Sequence, residues 1–324
     1  MKTIIGIDIS AVTFDAGYVI NEVRYHHVFS NNGRGFKALV AWTQHLPGEL
    51  IFSMEATGDY SYDLASFLFD RGFAVFVNNP RLVKWFAKAD NHDDKTDKLD
   101  AFVNMRYCES KLAKLRPWKP LPQPVLYLRE LTRERAKLVA LRESCGLRLR
   151  RSKNPLIRAH QHSLLKESRA QVERLDKEIR SFIASHDDLS RQAKLLLSIK
   201  GIGMVTAAAF LSEVPWFAEF RNKADLVRFA GLNPVARESG TSLHGTRFIS
   251  KKGNARLRKA FYMPALVAAK HNSRCAHKYQ SLLARGKKPK QALIAVMRQL
   301  LCIAFGVLTT GSPAYTAQEA RKTA

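Results

Sequence analysis

The chain opens on a run that is β-branched and apolar apart from one acid, residues 3–9 (TIIGIDI, with Asp8), and this run predicts a strand. Two further strands are predicted at 14–20 and 23–29, with turn-forming Asn21 between them. Apolar positions then switch to helical spacing at Phe36, Leu39, Val40 and Trp42. A fourth strand, 49–54, ends in Glu55-Ala56-Thr57-Gly58. A helix follows through Leu64, Phe67 and Leu68, then a fifth strand at 73–77 that stops at Asn78-Asn79-Pro80. Three strands in a meander followed by alternating helix and strand is the element order of an α/β, RNase H-like domain.

Past residue 115 the period is helical throughout. Leu128, Leu131, Leu138, Leu141, Cys145 and Leu149 recur at steps of three, four or seven, and Leu165, Val172, Leu175, Ile179 and Ile183 form a second series. Asn154-Pro155 separates the two, which predicts two helices, read as a coiled-coil arm over 116–188. An ordinary helical bundle fits the same spacing. Residues 189–324 then read as a mostly α domain, giving three domains in all: 1–115, 116–188 and 189–324. The longest apolar stretch, near the C-terminus, is interrupted by Arg298 and Gln299 and is expected to fall short of a membrane span.

The acids of the first domain stand out against this pattern. An aspartate inside an apolar strand is costly to bury without a role, which singles out Asp8. Glu55 ends the fourth strand, and Asp97 and Asp100 are spaced to share one face of a helix. Four converging acids repel unless a divalent cation neutralises them, and Mg²⁺ held by such acids stabilises the attacking and leaving oxygens of phosphoryl transfer. Strand-end acids and a solvated helix face are the plainer account of Glu55, Asp97 and Asp100.

Composition sharpens the picture through charge. Among 324 residues there are 53 Lys and Arg against 28 Asp and Glu, a formal charge of +25. Residues 1–110 carry −3 (11 basic, 14 acidic) and residues 111–324 carry +28 (42 basic, 14 acidic). So large an excess calls for a polyanion, of which nucleic acid is the common one. No single basic amphipathic segment dominates as a membrane-surface helix would. Four scattered cysteines without a CxxC pair argue against a disulfide scaffold or a cysteine zinc site, and a reducing cytoplasm is the expected compartment.

Candidate phosphate contacts cluster in three places. Arg148 and Arg151 lie on the arm. Lys200-Gly201-Ile202-Gly203 matches the turn of a helix-hairpin-helix unit, whose backbone N–H groups hold a phosphate without reading bases. A plain helix–turn–helix connection is its alternative. Arg237, Arg247, Lys251, Lys252 and Arg256 make a basic apron around Arg237-Glu238-Ser239-Gly240. On composition, Ser239 reads as a turn or cap residue.

Taken together, GIDIS with Asp8, EATGDY with Glu55 and DDKTDKLDA with Asp97 and Asp100 resemble the DEDD acids of insertion-sequence transposases of the IS110 group, relatives of the Piv-type DNA invertases. The GIG turn, FAGLNP, RESG with Ser239 and KKGNARLRKAFYMPA extend the resemblance in order over nearly the whole chain. Lys200 stands where proline is expected before Gly201. The resemblance implies a RuvC-like N-terminal domain, a coiled-coil arm and a transposase domain. It also implies a recombinase that excises and inserts its element under the guidance of a non-coding bridge RNA, which pairs with donor and target DNA. By the same resemblance Asp8, Glu55, Asp97 and Asp100 bind Mg²⁺, and Ser239 forms a covalent 5′-phosphoserine link. The active site is then shared between subunits of a dimer of dimers. Two other activities remain open: a metal-dependent nuclease that resolves branched DNA with water as nucleophile, and a non-catalytic nucleic-acid-binding protein.

Overall fold

The computed structural model describes residues 2–56, 60–89, 97–235, 238–239, 243–244 and 248–314. At 97, 98, 238, 239, 243 and 244 it describes the backbone alone. The chain divides into two compact units, residues 1–120 and 121–324.

The first unit is a five-stranded mixed sheet with helices on both faces. Its strands are β1 (Lys2–Ile9), β2 (Thr13–Ile20), β3 (Val23–Ser30), β4 (Glu49–Glu55) and β5 (Ala74–Asn78), in the order β3-β2-β1-β4-β5. The meander pairs antiparallel, whereas β1–β4 and β4–β5 pair parallel. The parallel pairs need crossovers, and α1 (Gly33–Thr43) and α2 (Tyr60–Phe69) supply them. Asn32 caps α1 by accepting from the N–H groups of Arg34 and Gly35.

The period of two sorts the strand side chains cleanly. Ile5, Ile7 and Ile9 of β1, Phe14, Ala16 and Tyr18 of β2, and Phe52 and Met54 of β4 share one buried core with Phe36 and Leu39 of α1 and Leu64, Ala65 and Leu68 of α2. The opposite face is covered by α4 (Asp97–Lys111), preceded by α3 (Pro80–Ala89).

The second unit is almost wholly helical. Helices α5 (Gln123–Arg151) and α6 (Pro155–Ala184) pair as a hairpin, each about 44 Å long. Partly buried Arg135 grips Asp176 through both nitrogens of its fork (2.5 and 3.2 Å). Leu128 and Cys145 are fully buried along the α5 stripe, but Leu141, expected within it, is 46% exposed. The stripe loosens toward the tip, where Leu147, Leu156 and Ile157 are also exposed.

The base of the arm joins the core of α7 (Asp187–Leu197), α8 (Met204–Glu213), α9 (Lys223–Phe229), α10 (Ala255–His271), α11 (Ser273–Ala284) and α12 (Pro289–Thr310). Helix α12 corrects the expectation for the apolar C-terminal stretch. Arg298 and Gln299 do not keep this 22-residue helix from being long and apolar enough to cross a membrane. Its apolar side chains are instead spent on packing: Leu293, Val296, Met297, Leu300, Leu301 and Ala304 are buried against the rest of the unit.

Candidate active site

Asp8 and Glu55 come together through strand register. The β1–β4 ladder pairs Gly6 with Ser53 and Ile7 with Met54, so Asp8 and Glu55 are the next positions on two parallel neighbours. Side chains at matched positions share a face, and the strands are about 4.8 Å apart. Both residues are half-buried, and both lie on the α4 face.

Helix α4 brings the other two acids. An ideal Cβ on Gly6 would lie 2.0 Å from the Ala101 carbonyl oxygen, so the helix backbone rests directly on β1 and only glycine fits there. Further along the helix, Asn104 donates from Nδ2 to the Ile7 carbonyl (3.0 Å). Cys108 packs against Ile51 and Phe76, and its thiol is pushed up to about 11 by burial. From Ala101 at Gly6 to Cys108 at Ile51, the register partner of Ile4, the helix moves toward the strands' amino ends, so α4 runs back along them with its amino end over their carboxyl ends. Four helical residues from Ala101 back to Asp97 advance about 6 Å, and two strand residues from Gly6 to Asp8 advance about 6.6 Å. The first turn of α4 is thus level with Asp8. Asp97 opens that turn, on the stripe that continues through Ala101, Asn104 and Cys108, and half-buried Asp100 lies one turn on.

Fold geometry accordingly gathers the four acid positions at one end of the sheet. The side chain of Asp97 lies outside the described atoms. Among the described residues no three His, Cys, Asp or Glu side chains are grouped as a ready metal set. An all-carboxylate donor set is nevertheless the chemistry a hard cation such as Mg²⁺ selects.

Two residues of the same face escaped the sequence reading. Asp15 lies directly opposite Asp8 on β2, and His26 of β3 holds Asp15 through Nε2···Oδ1 at 2.6 Å. Only the antiparallel register shows that Asp15 adjoins the acid end. In the sequence it is one polar residue of an alternating strand.

In the second unit, Ser239 belongs to a narrow β-ribbon rather than a plain loop. The chain pairs Pro234 with Ile249 and Val235 with Phe248 (β6, Pro234–Val235, against β9, Phe248–Ile249). It then pairs Glu238 with His244 and Ser239 with Leu243 (β7, Glu238–Ser239, against β8, Leu243–His244). Ser239 is the last paired residue before 240–242.

The root of this ribbon is tightly bonded. Ser250 donates from N to the Asn233 carbonyl (3.0 Å) and from Oγ to Asn233 Oδ1 (2.6 Å). Asn254 N donates to the Phe229 carbonyl (2.7 Å), and Arg258 Nη1 donates to the carbonyls of Ala230 and Gly253, both at 2.9 Å. Asn254 also caps α10 through Leu257 N and donates from Nδ2 to Glu213 Oε2 (2.8 Å).

Glu213 is a buried hub, since Arg133 of the arm donates to its Oε1 at 3.1 Å. Burial alone would raise its carboxyl. The hydrogen bonds from Asn254 and Arg133, with the charges of Arg133 and Arg129, outweigh it and hold Glu213 below the ordinary carboxylate value.

The predicted phosphate contacts spread over this unit. Arg148 and Arg151 are exposed at the end of α5, and Lys251, Lys252 and Arg256 are exposed around the start of α10. Arg237 and Arg247 lie outside the described residues. Lys200 is exposed in the turn between α7 and α8, where Gly201 takes φ +108° and Gly203 precedes α8. The turn is pressed against α10, since a Cβ on Gly201 would meet Ala268 Cβ at 2.9 Å. Its Ile202 N–H is committed to the Ile199 carbonyl.

Comparison with known proteins agrees with both units. Residues 5–152 match the IS110-type DEDD transposase model, and residues 193–280 match the transposase model of the IS116/IS110/IS902 family. The pilin gene-inverting protein of Moraxella bovis is 30% identical over 96% of this chain and 97% of its own length. That of Moraxella lacunata is equally similar over the same shares. The insertion element IS110 uncharacterized 43.6 kDa protein of Streptomyces coelicolor is 31% identical over 43% of this chain and 33% of its own. An acid-ended mixed sheet followed by a basic helical unit with its serine ribbon is thus matched along its length, and the chain belongs to the IS116/IS110/IS902 family of transposases, enzymes of DNA recombination.

Proposed function

We propose that this transposase excises and inserts its mobile element by serine-mediated strand exchange, with Asp8, Glu55, Asp97 and Asp100 as ligands of Mg²⁺ and Ser239 as nucleophile. The observation that carries the reading is the gathering of four acid positions where α4 crosses the ends of β1 and β4. The element order and the mixed sheet support a RuvC-like identity for the first unit.

Bound magnesium would neutralise the acids, lower the cost of deprotonating the serine and stabilise the departing oxygen. The Ser239 hydroxyl gives up its proton as Oγ bonds to the phosphorus. The bond from phosphorus to the 3′ oxygen breaks, leaving a 5′-phosphoserine and a free 3′-hydroxyl. A 3′-hydroxyl from the partner strand then attacks the same phosphorus and returns the serine, so the phosphodiester energy is conserved without a nucleotide cofactor. Exchange between two sites gives excision, insertion or inversion according to their orientation, and inversion is what the Moraxella relatives are named for.

A guide RNA would carry sequence choice, freeing the +28 charge of residues 111–324 for backbone contacts to bridge RNA and to donor and target duplexes. Acids from one protomer and serine from another, within a dimer of dimers, complete the proposal.

The test is a denaturant-resistant protein–DNA adduct. It should form with Mg²⁺ in the wild-type chain and vanish in Ser239→Ala, while DNA and RNA binding persist. Cleavage by Ser239→Ala that leaves 5′-phosphate and 3′-hydroxyl ends would instead establish the water-dependent nuclease.

A further inference from the structure

The acid end is underlain by a buried polar chain that the proposed reaction does not use. Ser53, Asn78 and Asn104 are each at most 4% exposed. Asn78 Nδ2 donates to Ser53 Oγ (2.9 Å), and Ser53 Oγ donates to the Asn104 carbonyl (3.0 Å). Asn104 Nδ2 in turn donates to the carbonyl of Ile7, the residue before Asp8. Asn78 is the register partner of Glu55. The chain therefore runs from the strand position beside Glu55, beneath α4, to the peptide that carries Asp8.

Packing does not account for Asn104. The residue is fully buried between α4 and the sheet, a setting where leucine or methionine fills space without polar atoms. Asn104 Oδ1 is buried without a hydrogen-bond partner among the described residues, an expensive state for an amide oxygen. The amide is therefore kept for what its N–H does.

We propose that Asn104 is a positioning residue of the acid site: its bond to the Ile7 carbonyl fixes the amino end of α4 against the carboxyl end of β1 and so sets how far the Asp97–Asp100 turn stands from Asp8 and Glu55. This rests on the reading of those four residues as Mg²⁺ ligands. Ser53 and Asn78 brace the same bond, because Ser53 holds the Asn104 peptide while Asn78 ties Ser53 to the strand beside Glu55. Bonds behind a ligand set of this kind tune affinity for the ion without touching it.

The test uses the full-length protein and two readouts: Mn²⁺ binding followed by electron paramagnetic resonance without nucleic acid, and the Mg²⁺ midpoint of strand exchange. Asn104→Ala removes the donor, and Asn104→Leu fills the site without polar atoms. Each should weaken Mn²⁺ binding and raise the Mg²⁺ midpoint about tenfold, with exchange recovering at high Mg²⁺. A purely structural role predicts an unchanged midpoint in any variant that folds. Ser53→Ala, the mildest change, should shift both readouts the same way by a smaller factor and keeps the test alive if the Asn104 variants do not fold. Wild-type Mn²⁺ binding and midpoint in all folded variants would overturn the proposal, provided Asp8→Asn abolishes Mn²⁺ binding. If Asp8→Asn binds Mn²⁺ normally, the acid-site reading itself is at fault.

Discussion

The two halves of the proposed chemistry are built on opposite principles. The acids stand on the central strands of a five-stranded sheet, with an apolar core behind them and α4 across them. Their geometry is a property of the whole first unit. Ser239 stands on the two-residue strand β7, paired with β8, and the hydrogen-bonded residues Asn233 and Ser250 lie nearer the helices. A binding site for a small cation needs ligands held within fractions of an ångström, which a packed core supplies. The two-residue strands β7 and β8 have no comparable packed layer among the described residues.

The largest expected effects separate chemistry from folding on both sides. Asp8→Asn and Ser239→Ala should each reduce strand exchange at least about a thousandfold, measured on a two-site DNA substrate. Melting temperatures should stay within about 2 °C of wild type, since each change removes or replaces a single polar atom. A large drop in melting temperature in Ser239→Ala alone would break the comparison, because it would make the ribbon part of the core.

Next in size, Gly6→Ala should cost about 3 kcal/mol or more by urea unfolding, because the new methyl would meet the α4 backbone. The matching change on the serine side, Ser250→Ala, removes one hydrogen bond and should cost about 1 kcal/mol. It should slow exchange clearly while leaving Mn²⁺ binding alone. Equal stability losses in the two variants would erase the contrast between core-held acids and root-held serine.

Glu213 sharpens the comparison through pH. Its carboxyl is held below the ordinary value, so the stabilisation is fully present above about pH 4.3, the usual unfolded value. It is lost as pH falls through the lower folded value. Urea unfolding followed in α10 should show wild type more stable than Glu213→Gln at pH 7, with the gap closing below about pH 4. A gap that widens on acidification would reverse the assignment. The smallest effect belongs to the arm: Arg148→Gln and Arg151→Gln should each lower the salt dependence of DNA or RNA binding by about one ion, without altering the Mg²⁺ midpoint.

Much of this was legible in the sequence where local pattern and final burial coincide. The first strand was expected at 3–9 and spans Lys2–Ile9; the fourth was expected at 49–54 and spans Glu49–Glu55. Both are apolar runs that the fold buries. Asp8 was visible because an acid interrupts such a run. Asp15 and His26 were not, because their meaning depends on which residue lies across the strand, and pairing register is absent from composition. Asn104 was hidden for a related reason: a polar residue in an amphipathic helix looks solvated until the sheet covers it. Leu141 shows the opposite error, a position that a step of three from Leu138 assigns to the stripe but that the helix turns outward, while Cys145 one turn on is buried. Helix α12 was misjudged because two polar residues count heavily in a linear scan and little in a helix that turns them away from its packed side. Ser239 carried no signal of its own beyond the resemblance of its surroundings, since a serine before glycine is ordinary turn chemistry.

Helix α12 also dictates the order in which the molecule becomes finished as it leaves the ribosome. The first unit owns every strand and helix of its sheet within its first 120 residues and is able to close while synthesis continues. The second cannot, because the arm base and α7 to α10 wait for a keel made after all of them. A nascent chain thus completes its acid-bearing sheet while α9 and α10, from which the serine ribbon departs, still lack the helix that buries them.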